Sequence, residues 1–154
     1  MVQYSAVAQP VIPAPLAAHL EPLPHLRAGF ERFLAACFDP DAVPAATLER
    51  CRRLVAALHG ADPAACGPAF AGLPPAEAEA LARGECPPGL PPADALALEI
   101  AGCIPWRHHD LPDAPVLAYR DACGERAAVT LLAALAMFDA LCRMTLAASR
   151  LEGA

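Results

Sequence analysis

The chain contains 154 residues, of which 56% are hydrophobic and only 18% are charged, and its formal net charge at pH 7 is −6. A chain so rich in apolar residues and so poor in charge is not intrinsically disordered, and its length suits one compact domain. The negative charge offers no basic surface to phosphate groups, so we expect no nucleic-acid partner.

The N-terminal segment, residues 1–23, is rich in proline. Proline lacks an amide hydrogen and fixes φ, so we predict an extended arm with one short helical turn over residues 16–20. Such an arm either frays or lies across a partner subunit. Residues 24–150 are predicted to form a single domain.

Beyond the arm, apolar residues recur at the spacing of an amphipathic helix, and no segment shows the alternation of a strand. Helices are predicted in the segments 24–38, 44–59, 63–70, 75–83, 92–104, 114–123 and 125–150. Prolines predict loops over residues 86–92 and 105–110. The predicted fold class is therefore all-α, with six to seven helices.

The last predicted helix, 125–150, is apolar around its whole axis, which places it at the centre of the protein or in a subunit interface. A chain of this length has little interior in which to hide such a helix, so we expect a homo-oligomer. Asp139 and Arg143 interrupt the apolar run, and charges are costly in hydrocarbon, so no membrane association is expected.

Seven cysteines lie far apart in the sequence, and none forms a C-x-x-C pair. The spacing of a zinc site or of a dithiol motif is therefore absent. The odd number argues against a disulfide scaffold, and free cysteines within helices behave as small buried apolar groups. The N-terminus has no basic region and is interrupted by prolines, unlike a signal peptide. We therefore predict a reducing, cytoplasmic location.

Two segments carry recognisable motifs: residues 47–60 read TLERCRRLVAALHG, and residues 131–144 read LLAALAMFDALCRM. Together they resemble the alkylhydroperoxidase D-like and carboxymuconolactone decarboxylase superfamily. Its members have a helix with a functional glutamate before C-x-x-C-x-x-x-H, and a last helix that ends in F-N-x-x-x-R. The resemblance implies an alkylhydroperoxidase D-like helical bundle that assembles into dimers, trimers or hexamers.

The resemblance also shows where this chain departs from the family. Glu49 matches the functional glutamate, but Ala61 and Ala64 stand at the two cysteine positions. A two-residue insertion would place Cys66 at the second cysteine and Phe70 at the histidine. Either alignment loses the dithiol, and a single thiol of the motif cannot close an internal disulfide. We therefore expect no robust dithiol-dependent reduction of hydroperoxides.

Three residues are candidates for catalysis. Glu49 is either a pocket carboxylate acting as general base or a solvated charge paired with Arg53. His59 closes a predicted helix, where the dipole favours a cation, and it also flanks the cleft expected beside the lost motif. Cys66 is either a reactive thiol at the start of a short helix or a buried structural cysteine.

Three further residues are candidates for substrate binding. Asp139 and Arg143, four residues apart, form either a buried ion pair or subunit contact, or an anchor for a carboxylate-bearing ligand. Phe70 is expected to contact the substrate. His108 and His109 are adjacent and lack a third fixed ligand, so no metal is predicted.

These candidates support three hypotheses of function. The first is a cofactor-free enzyme that transfers a proton on a small organic, carboxylate-bearing substrate, as in the decarboxylase branch of the family. The second is a thiol-dependent, peroxidase-like oxidoreductase that uses Cys66 with an external reductant. The third is a non-catalytic member that binds a ligand or a protein. We expect Glu49, His59, Cys66 and Arg143 to converge on one cavity.

Overall fold

The structure is a computed structural model that describes residues 11–152. Within these residues it contains helices and no strand, which confirms the predicted all-α class. The elements are α1 (Ala14–Leu20), α2 (Pro24–Cys37), α3 (Ala45–Leu58), a 3₁₀ helix (Pro63–Cys66), α4 (Pro75–Ala82), α5 (Pro92–Arg107), α6 (Asp113–Cys123) and α7 (Glu125–Glu152).

The long helix α7 lies at the centre of the fold, where it packs against α1, α2, α3, α5, α6 and the 3₁₀ helix. One side of α7 is buried, as at Leu135 and Phe138, whereas Val129 and Met144 are exposed. By length and composition alone, Glu125–Leu151 is also long and apolar enough to span a membrane. Of its most apolar stretch of 18 residues, 44% is buried inside the protein. The central packing is that of a core helix.

The described part of the predicted arm lies on its own chain. Ile12 is buried in the core, and α1, which is longer than the predicted turn, packs against α7. The apolar side chains of Leu16 and Leu20 join this contact, because burying them removes apolar surface from water. The first ten residues of the arm lie outside the described residues.

Two predicted helix boundaries differ from the structure by three residues or more. The helix expected over 63–70 ends at Cys66, because Gly67 adopts a φ of 113° and Pro68 follows it. The helix expected to end before Pro105 continues to Arg107. Proline at this position forgoes one backbone hydrogen bond within the helix, and burial of Ala101, Ile104 and Pro105 offsets that loss.

Candidate functional site

Glu49, the candidate general base, is completely buried. Its carboxylate accepts two hydrogen bonds from Arg52, from Nη2 to Oε1 at 2.8 Å and from Nε to Oε2 at 3.0 Å. Arg53 Nε donates to Oε1 at 2.6 Å, and the Phe70 amide donates to Oε2 at 3.1 Å. The expected pair with Arg53 is present, but Glu49 is not a solvated surface charge.

Opposing effects set the pKa of Glu49. Burial raises the pKa of Glu49. Arg52 lowers it through both its hydrogen bonds and its charge, and the hydrogen bonds from the Phe70 amide and from Arg53 lower it further. The net pKa lies below its ordinary value. The carboxylate therefore stays ionised, with both oxygens occupied inside the protein. A general base needs access to its substrate. These surroundings favour a structural role for Glu49.

Arg52 extends the ion pair to the backbone of the following segment. Its Nη1 donates to the Pro63 carbonyl at 2.6 Å and to the Gly67 carbonyl at 3.2 Å. Sequence reasoning missed Arg52 because it paired Glu49 only with Arg53, four positions later in the helix. A signal was available, since Arg52 lies four residues after the buried Leu48 and so falls on the buried side of α3.

A second polar cluster joins α3 to α4 and α5. Arg50 Nε donates to Glu77 Oε2 at 2.8 Å, and Arg50 Nη1 donates to Asp94 Oδ2 at 3.0 Å. The Thr47 hydroxyl donates to the other oxygen of Asp94. Sequence reasoning missed this cluster because the partners of Arg50 lie on other helices. Each charge is paired within the cluster, which points to a structural role.

His59, Asp139 and Arg143 form the most open polar arrangement among the candidate residues. His59 Nε2 lies 2.7 Å from Asp139 Oδ1, and Arg143 Nε donates to Asp139 Oδ2 at 2.9 Å. The side chains of His59 and Asp139 are 10% and 14% exposed, whereas that of Arg143 is 50% exposed. The structure thus brings three of the six candidate residues together, because the Asp139 carboxylate bridges His59 and Arg143. We call these three residues the His59 site.

The end of α5 completes the surroundings of the His59 site. Arg143 Nη2 donates to the Pro105 carbonyl at 2.8 Å. This carbonyl belongs to the last turn of α5, where carbonyls lack a partner within the helix. Trp106 is 63% exposed, and its ring centroid lies 6.4 Å from that of His59. The predicted loop over 105–110 therefore contributes to the site from a helix end.

Cys66, the third catalytic candidate, is completely buried. The neighbouring thiol of Cys142 on α7, together with burial, raises the pKa of Cys66 well above its ordinary value. Such a thiol is not a poised nucleophile. Sequence reasoning treated Cys142 as a core residue and did not pair it with Cys66, because the two are distant in the chain.

Phe70 packs within an aromatic cluster. Its ring meets Phe38 and Phe138 edge-on, with centroid distances of 5.4 Å and 5.8 Å. Its amide holds Glu49, as described above. These contacts place Phe70 in the packing of the fold, apart from the His59 site.

The described cavities are lined mainly by residues other than the candidates. A groove of about 330 Å³ lies between α1, the 3₁₀ helix and α7, lined by residues such as Pro13, Ala65 and Thr145. A second cavity of about 410 Å³ lies between α3 and α5, beside Leu58 and Gly102. Glu49 remains in its own sealed ion pair, separate from the arrangement around Asp139.

The two adjacent histidines are exposed, and their rings contact each other with centroids 5.4 Å apart. Within residues 11–152, no group of three His, Cys, Asp or Glu side chains has the arrangement of a metal site.

Comparison with family models, with curated proteins and with solved structures gave no match to this chain. The resemblance carried by residues 47–60 and 131–144 therefore stays a prediction from motifs.

Proposed function

We propose that this chain is a cofactor-free enzyme that transfers a proton on a small, carboxylate-bearing substrate at the His59 site. The observation that carries the proposal is the 2.7 Å contact between His59 Nε2 and Asp139 Oδ1. A carboxylate bonded to one ring nitrogen fixes the orientation and tautomer of a histidine, which prepares the other nitrogen for proton transfer.

In this proposal His59 acts as the base. With its proton on Nε2 and donated to Asp139, the imidazole keeps a lone pair on Nδ1, and no described residue donates a hydrogen bond to that atom. The positive charge gained on accepting a proton is stabilised by the Asp139 carboxylate. His59 also follows the last residue of α3, where the negative end of the helix dipole favours a cation.

Arg143 is the proposed anchor for the substrate carboxylate. Two of its nitrogens are held by Asp139 and by the Pro105 carbonyl, which fixes the plane of the guanidinium. Its half-exposed edge still presents donors to solvent, and a guanidinium binds carboxylates with directional hydrogen bonds. The exposed Trp106 ring offers an apolar wall for the rest of the substrate.

The motif resemblance supports the same function, because Phe138, Asp139 and Arg143 occupy the positions of the family's F-N-x-x-x-R. An aspartate in place of the asparagine supplies the charge that orients His59. The resemblance also motivates a homo-oligomer, and the cysteine usage motivates a cytoplasmic location, as parts of the proposal. No cofactor is included in it.

The test uses small β-keto acids and lactone carboxylates, which have an acidic C–H bond next to a carbonyl. Exchange of this hydrogen for deuterium in D₂O is followed by proton NMR. The wild-type protein and His108→Gln, a control at an exposed histidine, should accelerate exchange of at least one compound. His59→Gln should not. Exchange that persists in His59→Gln, or that is absent from the wild type for the whole panel, contradicts the proposal.

Non-catalytic ligand binding is the second candidate, and the apolar groove of about 330 Å³ beside α1 favours it. A ligand held there would perturb Thr145 and leave the His59 site unchanged. The peroxidase-like alternative has less support, because burial of Cys66 keeps its thiol protonated and away from bulky reductants.

A further inference from the structure

Cys66 and Cys142 are a pair of thiols that the function proposed above does not use. Both are completely buried, and the residues on either side of them are in contact, since a Cβ placed at Gly67 would lie 3.4 Å from Leu141 Cδ1. Cys66 ends the 3₁₀ helix, and Cys142 lies on the side of α7 that packs against it. One turn further along α7, the Thr145 hydroxyl donates to the Ala65 carbonyl at 3.1 Å, which clamps the neighbours of both cysteines together.

We propose that Cys66 and Cys142 form a redox-active dithiol that hydrogen peroxide converts into an intramolecular disulfide. The pair bridges two elements already held in contact, so closing the bond requires only a local approach of two sulfur atoms. The disulfide would join the 3₁₀ helix covalently to the central helix. The proposal is independent of the activity assigned to His59.

The chemistry balances with hydrogen peroxide as the oxidant. The sulfur of Cys142, whose pKa is lowered whereas that of Cys66 is raised, attacks a peroxide oxygen, the O–O bond breaks, and the products are a sulfenic acid and one water molecule. The sulfur of Cys66 then attacks the sulfenic sulfur of Cys142, the S–O bond breaks, and a second water molecule leaves with the remaining thiol proton. Two thiols are oxidised by two electrons, and one peroxide is reduced to two waters.

Burial makes this dithiol selective for a small oxidant. Hydrogen peroxide can enter a packed interior during local opening, whereas a bulky disulfide reagent needs the thiol at the surface. Cys86 and Cys123 are exposed and should react first with the bulky reagent. Cys51 is as fully buried as Cys66, but the groups that perturb its thiol are Asp94 and Arg50 and include no second thiol. It therefore serves as a matched control.

The experiment treats the full chain, carrying Cys86→Ser and Cys123→Ser to prevent linkage between molecules, with hydrogen peroxide. The remaining thiols are then alkylated under denaturing conditions. Mass spectrometry should show loss of two hydrogen atoms, two unalkylated cysteines and a cross-linked peptide pair containing residues 66 and 142. Cys51→Ser should leave this product unchanged, whereas Cys66→Ser and Cys142→Ser should each abolish it.

A second measurement does not depend on those variants folding. The disulfide closes a long loop, so the oxidised form of the parent protein should melt about 5 °C or more above its reduced form, and a dithiol reductant should reverse the shift. Full alkylation of both cysteines after oxidation, or a cross-link between any other pair, overturns the proposal.

Discussion

Arg52 and Glu49, three residues apart on α3, form a two-point ion pair that is almost entirely removed from water. The exposed fractions of the two side chains are 4% and 0%. Removing charges from water is costly, and here the cost is offset by hydrogen bonds to the remaining oxygens and nitrogens. The pair therefore holds the backbone at Pro63, Gly67 and Phe70 against α3.

Replacing one partner of this ion pair should destabilise the protein strongly. Glu49→Gln leaves the Arg52 guanidinium buried without its counter-charge, and loss of one partner of a buried pair costs about 3 to 5 kcal/mol. The free energy of unfolding is measured by urea denaturation. The control is Glu79→Gln, since Glu79 is 76% exposed in its pair with Arg83 and should change stability by less than about 1 kcal/mol. Equal effects of the two variants would contradict the structural role of Glu49.

The same carboxylate should make stability depend on acid pH. The pKa of Glu49 is lower in the folded protein than its ordinary value of 4.5, so the folded state binds this proton less readily than the unfolded state. Its contribution to stability is therefore complete above the unfolded pKa and is lost as pH falls through the folded pKa. Urea midpoints of the wild type and Glu49→Gln should converge as pH is lowered below about 4.5. A constant difference between them would exclude this linkage.

Asp139 is expected to control the activity of His59 more than the stability of the fold. Asp139→Asn keeps the shape but removes the charge that stabilises a protonated His59, and loss of a positioned acid–base group typically lowers the rate by about 10² to 10⁴. The proton-exchange rate should therefore fall, while the urea midpoint changes little. Asp110→Asn is the control, because Asp110 is exposed and pairs with Arg107 outside the site. An unchanged exchange rate would remove Asp139 from the mechanism.

The glycine that directly follows the 3₁₀ helix should be sensitive to a single added methyl group. Gly67 has a φ of 113°, and a Cβ placed there would lie 3.4 Å from Leu141 Cδ1. Gly67→Ala should therefore lower the free energy of unfolding by about 1 to 3 kcal/mol. Gly29→Ala is the matched control, because Gly29 lies inside α2 with open space around it and should gain about 0.5 to 1 kcal/mol. Opposite signs of the two effects are the expected result.

Self-association is expected through the exposed side of α7. Val129 is 62% exposed, and Ala136, about two turns further along α7, is also exposed. A second copy of the chain would cover this apolar surface. Sedimentation should show a species larger than the 16.0 kDa chain at micromolar concentration, and Val129→Glu should shift it towards the monomer. The control Ala118→Glu, at an exposed position of α6, should leave the size of the sedimenting species unchanged. A stable monomer of the wild type would refute this prediction.

The helices were predictable because their periodic apolar residues are a local property of the chain. The site was predictable only in part. Arg143 and Asp139 are four residues apart on one helix, and their pairing follows from that spacing. The contact between His59 and Asp139 joins residues 80 positions apart, so no local pattern encodes it. The burial of Glu49 is unpredictable for the same reason, because the segment that covers it, which includes Phe70, lies beyond the end of α3 in the sequence.

The segment from Pro63 to Gly67 has an unusual way of anchoring its backbone. Arg52 donates to the first and last carbonyls of this segment, and Thr145 donates to the carbonyl of Ala65, one of the three between them. These partners come from α3 and α7, so we expect the segment to reach its native conformation only after those two helices have docked. In native-state hydrogen exchange, its amides should open at lower free energy than those of α7, and Arg52→Met should release them further.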